Sequence, residues 1–205
     1  MPVEVKYREI VRELALDRYG YVTTKDAVIA GAVTGNASSG IVVGANAPVT
    51  AQLGSTARAR STMTLGFLHL NAGNSFIENA DVTLTQTGST GFGGHSSLFL
   101  EVGTSLTVRG GSILTLSGTP QLHNDAVLDI SQGSKLSVAR STATPDAPAS
   151  LRVGFAGGTS KLLVSGDGTV VESADLLHIG NDSFTPSPGV GEVGVGAGGI
   201  VTGVM

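Results

Sequence analysis

Carboxylates and imidazoles are the side chains of this sequence that could do chemistry, and their spacing decides what chemistry to expect. Seven aspartates lie beyond residue 40: Asp81, Asp125, Asp129, Asp146, Asp167, Asp175 and Asp182. Glycan-cleaving enzymes need two or three carboxyl groups converging within several ångströms. Here the aspartates are scattered and mostly sit beside Gly, Asn or Ala, where an Asp side chain stabilises a turn. No catalytic residue is therefore assigned, and a polysaccharide-active enzyme stands as a secondary alternative. The histidines (His69, His95, His123 and His178) lack the paired spacing of metal ligands. With no cysteine there is neither a disulfide framework nor a thiolate metal site. No Gly-x-x-x-x-Gly-Lys-Ser/Thr loop is present for nucleotide phosphates, so no metal or cofactor is expected.

The elements that would position these side chains show themselves as recurring apolar–polar–apolar triplets. One series is Val82-Thr-Leu84, Leu106-Thr-Val108, Leu128-Asp-Ile130, Leu151-Arg-Val153 and Leu177-His-Ile179, with starts 24, 22, 23 and 26 residues apart. A second series is Leu114-Thr-Leu116, Leu136-Ser-Val138 and Leu162-Leu-Val164, at intervals of 22 and 26. Two interleaved series with a common period mark an internal repeat. Alternation means short strands with one buried face, and the glycines between them supply sharp corners. One such unit cannot bury its own apolar edge, so neighbours must stack. The expected fold is mainly β: a right-handed parallel β-helix with about 22–26 residues per rung, with a short N-terminal helical segment. An immunoglobulin-like or jelly-roll sandwich is the rival arrangement of short strands.

If the first series stacks in register, its outward residues form one column: Thr83, Thr107, Asp129, Arg152 and His178. Asp129, Arg152 and His178 would then be a surface-contact strip, read either as a solvated face with one ion pair or as a strip that touches carbohydrate. The order Thr-Thr-Asp-Arg-His is not a regular hydroxyl array, so ice binding is not expected on that face.

Composition divides the chain. Residues 1–33 hold 10 of the 28 charged residues, five of each sign, whereas the rest holds 28 of the 30 glycines. The expected organisation is a helical segment over 1–33, a linker over 34–40 and repeats over 41–205. In the first segment Val3, Tyr7, Ile10 and Leu14 recur at helical spacing and share one face. That face could lie over the first rung as a cap. A net charge of −4 argues against general attraction to nucleic acid or anionic lipid. No apolar run approaches the roughly 18 residues of a membrane helix, and the N-terminus lacks the apolar core of a secretory signal.

The run Leu151-Arg-Val-Gly-Phe-Ala-Gly-Gly, followed by Leu162-Leu-Val-Ser-Gly-Asp-Gly-Thr-Val-Val, Leu176-Leu-His-Ile-Gly-Asn-Asp and Gly194-Val-Gly-Ala-Gly-Gly, resembles bacterial autotransporter passenger repeats. That resemblance covers residues ~40–205 and implies a non-enzymatic, adhesin-like rod, outside the cell or on its surface, whose partners are glycans or cell-surface proteins. The run Leu14-Ala-Leu-Asp-Arg-Tyr-Gly-Tyr-Val-Thr-Thr-Lys-Asp-Ala27, within residues ~7–31, is similar to the N-terminal winged-helix segment of abortive-infection type IV antitoxins. It implies, as the alternative, a cytoplasmic DNA-binding regulator acting through residues 1–33. In that family a third helix enters the DNA groove. Here Val33-Thr-Gly-Asn-Ala-Ser-Ser-Gly40 follows, which is poor helix material.

Overall fold

The triplets become strands in the computed structural model, which describes residues 4–5, 10–16, 19–22, 26–37, 39–44, 48–86, 97–140, 149–154, 157–180 and 189–204. The described residues form twenty-one strands and no helix. In chain order the strands are β1 (Glu4–Val5), β2 (Ile10–Leu16), β3 (Tyr19–Val22), β4 (Ala27–Gly35), β5 (Gly40–Val43), β6 (Ala51–Leu53) and β7 (Ser61–Leu65). They continue as β8 (Phe67–Leu70), β9 (Asn74–Glu78), β10 (Ala80–Leu84), β11 (Leu98–Leu100), β12 (Ser105–Arg109), β13 (Ile113–Ser117) and β14 (Gln121–Leu122). The last seven are β15 (Val127–Ser131), β16 (Lys135–Ala139), β17 (Leu151–Val153), β18 (Thr159–Ser165), β19 (Val170–Ile179), β20 (Val190–Val195) and β21 (Ile200–Val204).

Every strand pair among the described residues is parallel, and the pairs sort into three ladders. Ladder I runs β2, β4, β6, β9, β12, β15, β18, β20. Ladder II runs β2, β4, β7, β10, β13, β16, β19, β21. Ladder III runs β1, β3, β5, β8, β11, β14, β17, β19. The chain visits I, II and III in turn and then returns to I, so each pass adds one rung to every ladder.

Alternation decides which side chains go inside. In β12, β13, β15 and β16, Leu106, Val108, Leu114, Leu116, Leu128, Ile130, Leu136 and Val138 are buried, while the residues between them lie partly open. The buried side chains form one continuous apolar core from Ala27 to Leu177. Each fully buried aliphatic chain contributes about 1.5–3 kcal/mol relative to exposure. Because inward residues stack on inward residues, the core is built of columns. Ile29, Leu53, Ile77, Val108, Ile130 and Val164 share one register in ladder I.

Two expectations need correction. Residues 1–33 are not helical where they are described: Ile10–Leu16 is strand β2, paired in parallel with β4. The face expected from helical spacing is divided accordingly. Ile10 and Leu14 lie in β2, and Val3 and Tyr7 lie outside the described residues. A register shift between Val11 and Glu13 sets Val11 opposite Ile29 and Leu14 opposite Val33, and the edge of β4 offers the backbone partners of a parallel strand. Strand β4 crosses residue 33, so the composition boundary falls inside a strand, and Thr34 and Gly35 of the expected linker belong to it.

The second correction concerns period. A step of 22 residues holds for Leu100 to Leu122, Leu106 to Leu128 and Leu114 to Leu136. Elsewhere a pass takes from 17 residues (Val5 to Val22) to 35 (Leu136 to Val171). The regular triplet series therefore hops between ladders. Its members stand in ladder II at Val82, ladder I at Leu106 and Leu128, and ladder III at Leu151 and Leu177.

Candidate functional site

The outward strip expected at Asp129, Arg152 and His178 is split by this register. Arg152 pairs with His178 in ladder III. Asp129 stands in ladder I, between Thr107 and Leu163. No strand pairing joins Asp129 to Arg152. Thr83 belongs to a third column, in ladder II, with Thr34, Thr64, Thr115 and Ser137. That hydroxyl column escaped the triplet reading because its members come from unequal passes. Its neighbouring column reads Ala32, Thr62, Asp81, Ile113 and Lys135, so the face mixes charge and aliphatic carbon and is not a uniform hydroxyl lattice.

Ladder III carries the chemically richest column turned away from the core: His69, Phe99, Gln121, Arg152 and His178, following the fully buried Val42. Inward Leu and Val neighbours such as Leu70, Leu100, Leu122 and Val153 anchor these short strands. The column itself is held by aromatic contacts between passes. His69 meets Phe99 edge-on at a centroid distance of 4.7 Å, and Phe99 meets His123 at 4.4 Å. Glu101 lies 3.4 Å from His69 Nε2, and Gln121 Oε1 lies 3.3 Å from His123 Nε2. Phe99 and Gln121 are buried, Arg152 is half-buried and His178 is exposed. Access therefore increases toward the Arg152–His178 end. Three of the four histidines gather on this face; His95 lies outside the described residues.

The described carboxylates mostly tie one pass to the next. Arg60 binds Asp81 with Nε–Oδ2 2.9 Å and Nη2–Oδ1 2.5 Å, and Arg109 donates to Glu78 at 3.0 Å. Lys135 pairs with Glu172 at 2.7 Å, Lys161 with Glu192 at 2.9 Å, and Arg140 with Asp175. Lys135 and the Ser137 hydroxyl hold the Glu172 carboxyl below its ordinary range. The Ala149 backbone N–H, and then Arg140, do the same for Asp175. Burial alone pushes Asp129 up. A cleft of about 430 Å³ beside Arg140, Glu172 and Ser173 is lined by these paired groups. Among the described residues no three His, Asp or Glu side chains gather as a metal site.

A further set of polar groups was legible but overlooked: buried hydroxyls at the corner between ladders I and II. Ser61 Oγ accepts from Gly31 N, Ser112 Oγ from Ala80 N, Ser134 Oγ from Ser112 N and Thr169 Oγ1 from Gly133 N, at 2.9–3.2 Å. At the corner the ladder hydrogen bonds lapse, and the hydroxyl supplies the acceptor that a buried N–H must find. The signal is a Gly-Ser or Gly-Thr pair just ahead of the ladder II strand: Gly111-Ser112, Gly133-Ser134 and Gly168-Thr169.

The described part of the antitoxin-like run forms β2 from Leu14 to Leu16, then β3 and the start of β4. It therefore supplies no groove-entering helix. No helix among the described residues is long and apolar enough to cross a membrane. Compared with family models, curated proteins and solved structures, the chain matches none.

Proposed function

We propose that this chain is a right-handed parallel β-helix of the autotransporter-passenger kind, working as a non-enzymatic, adhesin-like rod that engages glycans or cell-surface proteins along its side. The handedness follows from the strong preference of parallel crossovers for the right-handed sense. The observation that carries the reading is the ladder III column, in which imidazole, phenyl, amide and guanidinium groups stack one pass apart. At its open end the column offers the Arg152 guanidinium and the His178 imidazole, donors one pass apart that suit a hydroxyl-rich ligand. Glu172 and Asp175 are paired with cations and held below the ordinary range. Asp129, which burial raises, stands between Thr107 and Leu163 with no second carboxylate at its register positions. A binding face is therefore favoured over an acid–base pair.

The test is a glycan array probed with the chain and with an Arg152→Ala/His178→Ala variant of unchanged circular dichroism. Binding that falls about tenfold or more in the variant, equivalent to about 1.4 kcal/mol, supports the proposal. Absence of any glycan or cell-surface ligand would sink it. Affinity for duplex DNA that falls steeply with salt would favour the regulator reading instead.

A further inference from the structure

Arg109 is held on ladder I from two sides. Its Nε donates to Glu78 Oε1 at 3.0 Å, and its guanidinium carbon lies 4.7 Å from the Phe76 ring centroid. Gln52 Nε2 donates to Glu78 Oε2 at 3.0 Å, so both oxygens of that carboxylate are engaged. Among the described residues the two Nη groups of Arg109 meet no acceptor. A guanidinium fixed in plane by a carboxylate and an aromatic ring presents its remaining donors with little left to order.

The column beneath that guanidinium continues from Phe76 to Thr107, Asp129 and Leu163. Glu78, Asp81, Glu172, Asp175 and Glu192 each hold a cation. Among the described residues Asp129 holds none, and burial raises its pKa with nothing opposing it. Hydroxyl donors from a ligand would replace the water this carboxylate has lost. Leu163, next in the column, is 38% exposed and offers an aliphatic step. Phe76 and Asp129 stand two rungs apart, roughly 10 Å. A pyranose ring lying over Thr107, with a hydrogen bond at either end, covers that distance.

Arg109 can only donate and an ionised Asp129 can only accept. A hydroxyl does both, so the hydroxyls of one sugar satisfy the two together. Glu78, Arg109 and Asp129 carry one net negative charge between them, which disfavours an acidic chain. A basic peptide would answer Asp129 but set a like charge toward Arg109. We propose that this part of ladder I binds a neutral sugar residue, with Arg109 donating to its oxygens, Asp129 accepting from its hydroxyls and Thr107 beneath the ring. The site rests on the reading of the chain as a glycan binder, but it uses neither Arg152 nor His178.

Isothermal titration with short neutral oligomers of glucose, galactose and mannose, and with oligogalacturonate as the acidic counterpart, tests it. A neutral series should bind, and oligogalacturonate should bind about tenfold more weakly or worse. Arg109→Lys keeps the charge beside Glu78 but loses the planar fork. That variant and Asp129→Asn should each weaken the neutral ligand about tenfold, with circular dichroism unchanged. Should Arg109→Lys fail to fold, Asp129→Asn still decides. Arg152→Ala/His178→Ala should leave this affinity intact, and added salt should barely alter it. The proposal is overturned if no neutral oligomer binds, if either ladder I variant binds as the unaltered chain does, or if oligogalacturonate or a lysine-rich peptide binds more tightly. Loss of the neutral ligand in Arg152→Ala/His178→Ala alone would also overturn it, while leaving the ladder III reading in place.

Discussion

Single residues here answer to the pass above and the pass below more than to their sequence neighbours. Asp129 shows it: flanked by Thr107 and Leu163, it has no cation at its register positions, and burial raises its pKa. A raised carboxyl costs nothing below its unfolded pKa, where both states are protonated. The cost grows as pH rises through the folded value. Glu172 and Asp175 are depressed, so their contribution is present above the unfolded pKa and is lost as pH falls through the folded one. Asp129→Asn should therefore raise the urea midpoint at pH 7, by about 0.5 kcal/mol or less, and leave it unchanged near about pH 3. Glu172→Gln should lower it at pH 7 by under about 1 kcal/mol, the scale of an exposed pair, and likewise do nothing in acid.

Strands in this molecule are only as good as their corners. Gly154, with φ +83°, turns the chain out of β17, and a Cβ there would sit 2.5 Å from the Val190 carbonyl carbon. Gly103 has a similar φ of +68° but open space where its Cβ would go. Gly103→Ala should cost about 1 kcal/mol of backbone strain, and Gly154→Ala clearly more, because the next pass must move. Equilibrium denaturation of the two variants separates strain from clash. The same corners explain what could be read in advance. Triplets such as Leu106-Thr107-Val108 announce strand and inward face by alternation. The shortest strands of ladder III, such as Gln121–Leu122, lack enough alternation to be recognised. Without them the triplets seem to form one series of rungs, and Asp129 is aligned with Arg152. The helical reading of residues 10–14 failed for a related reason: a register shift between Val11 and Glu13 sets Val11 and Leu14, three apart, opposite Ile29 and Val33, so this strand carries a helix-like spacing. Only the edge of β4 decides between strand and helix.

At the scale of the whole molecule, strand pairing runs from pass to pass, and among the described residues no pairing joins the first strands to the last. Stability is then close to a sum of neighbour terms, and opening proceeds from the ends. Hydrogen–deuterium exchange on dilute single copies should find the slowest amides in β12, β13, β15 and β16, which have partners on both sides. The fastest strand amides should be in β20 and β21. Equal protection throughout would show a single cooperative unit instead.

The unequal passes have a consequence for how such a chain can change. From Gln86 to Ser97 and from Arg140 to Ala149 the sequence leaves ladder II and re-enters at ladder III, yet the registers on either side remain aligned. Lengthening a connection costs only logarithmically in closure entropy. That corner is therefore a port, through which segments can be gained, lost or exchanged while the core columns keep their alignment.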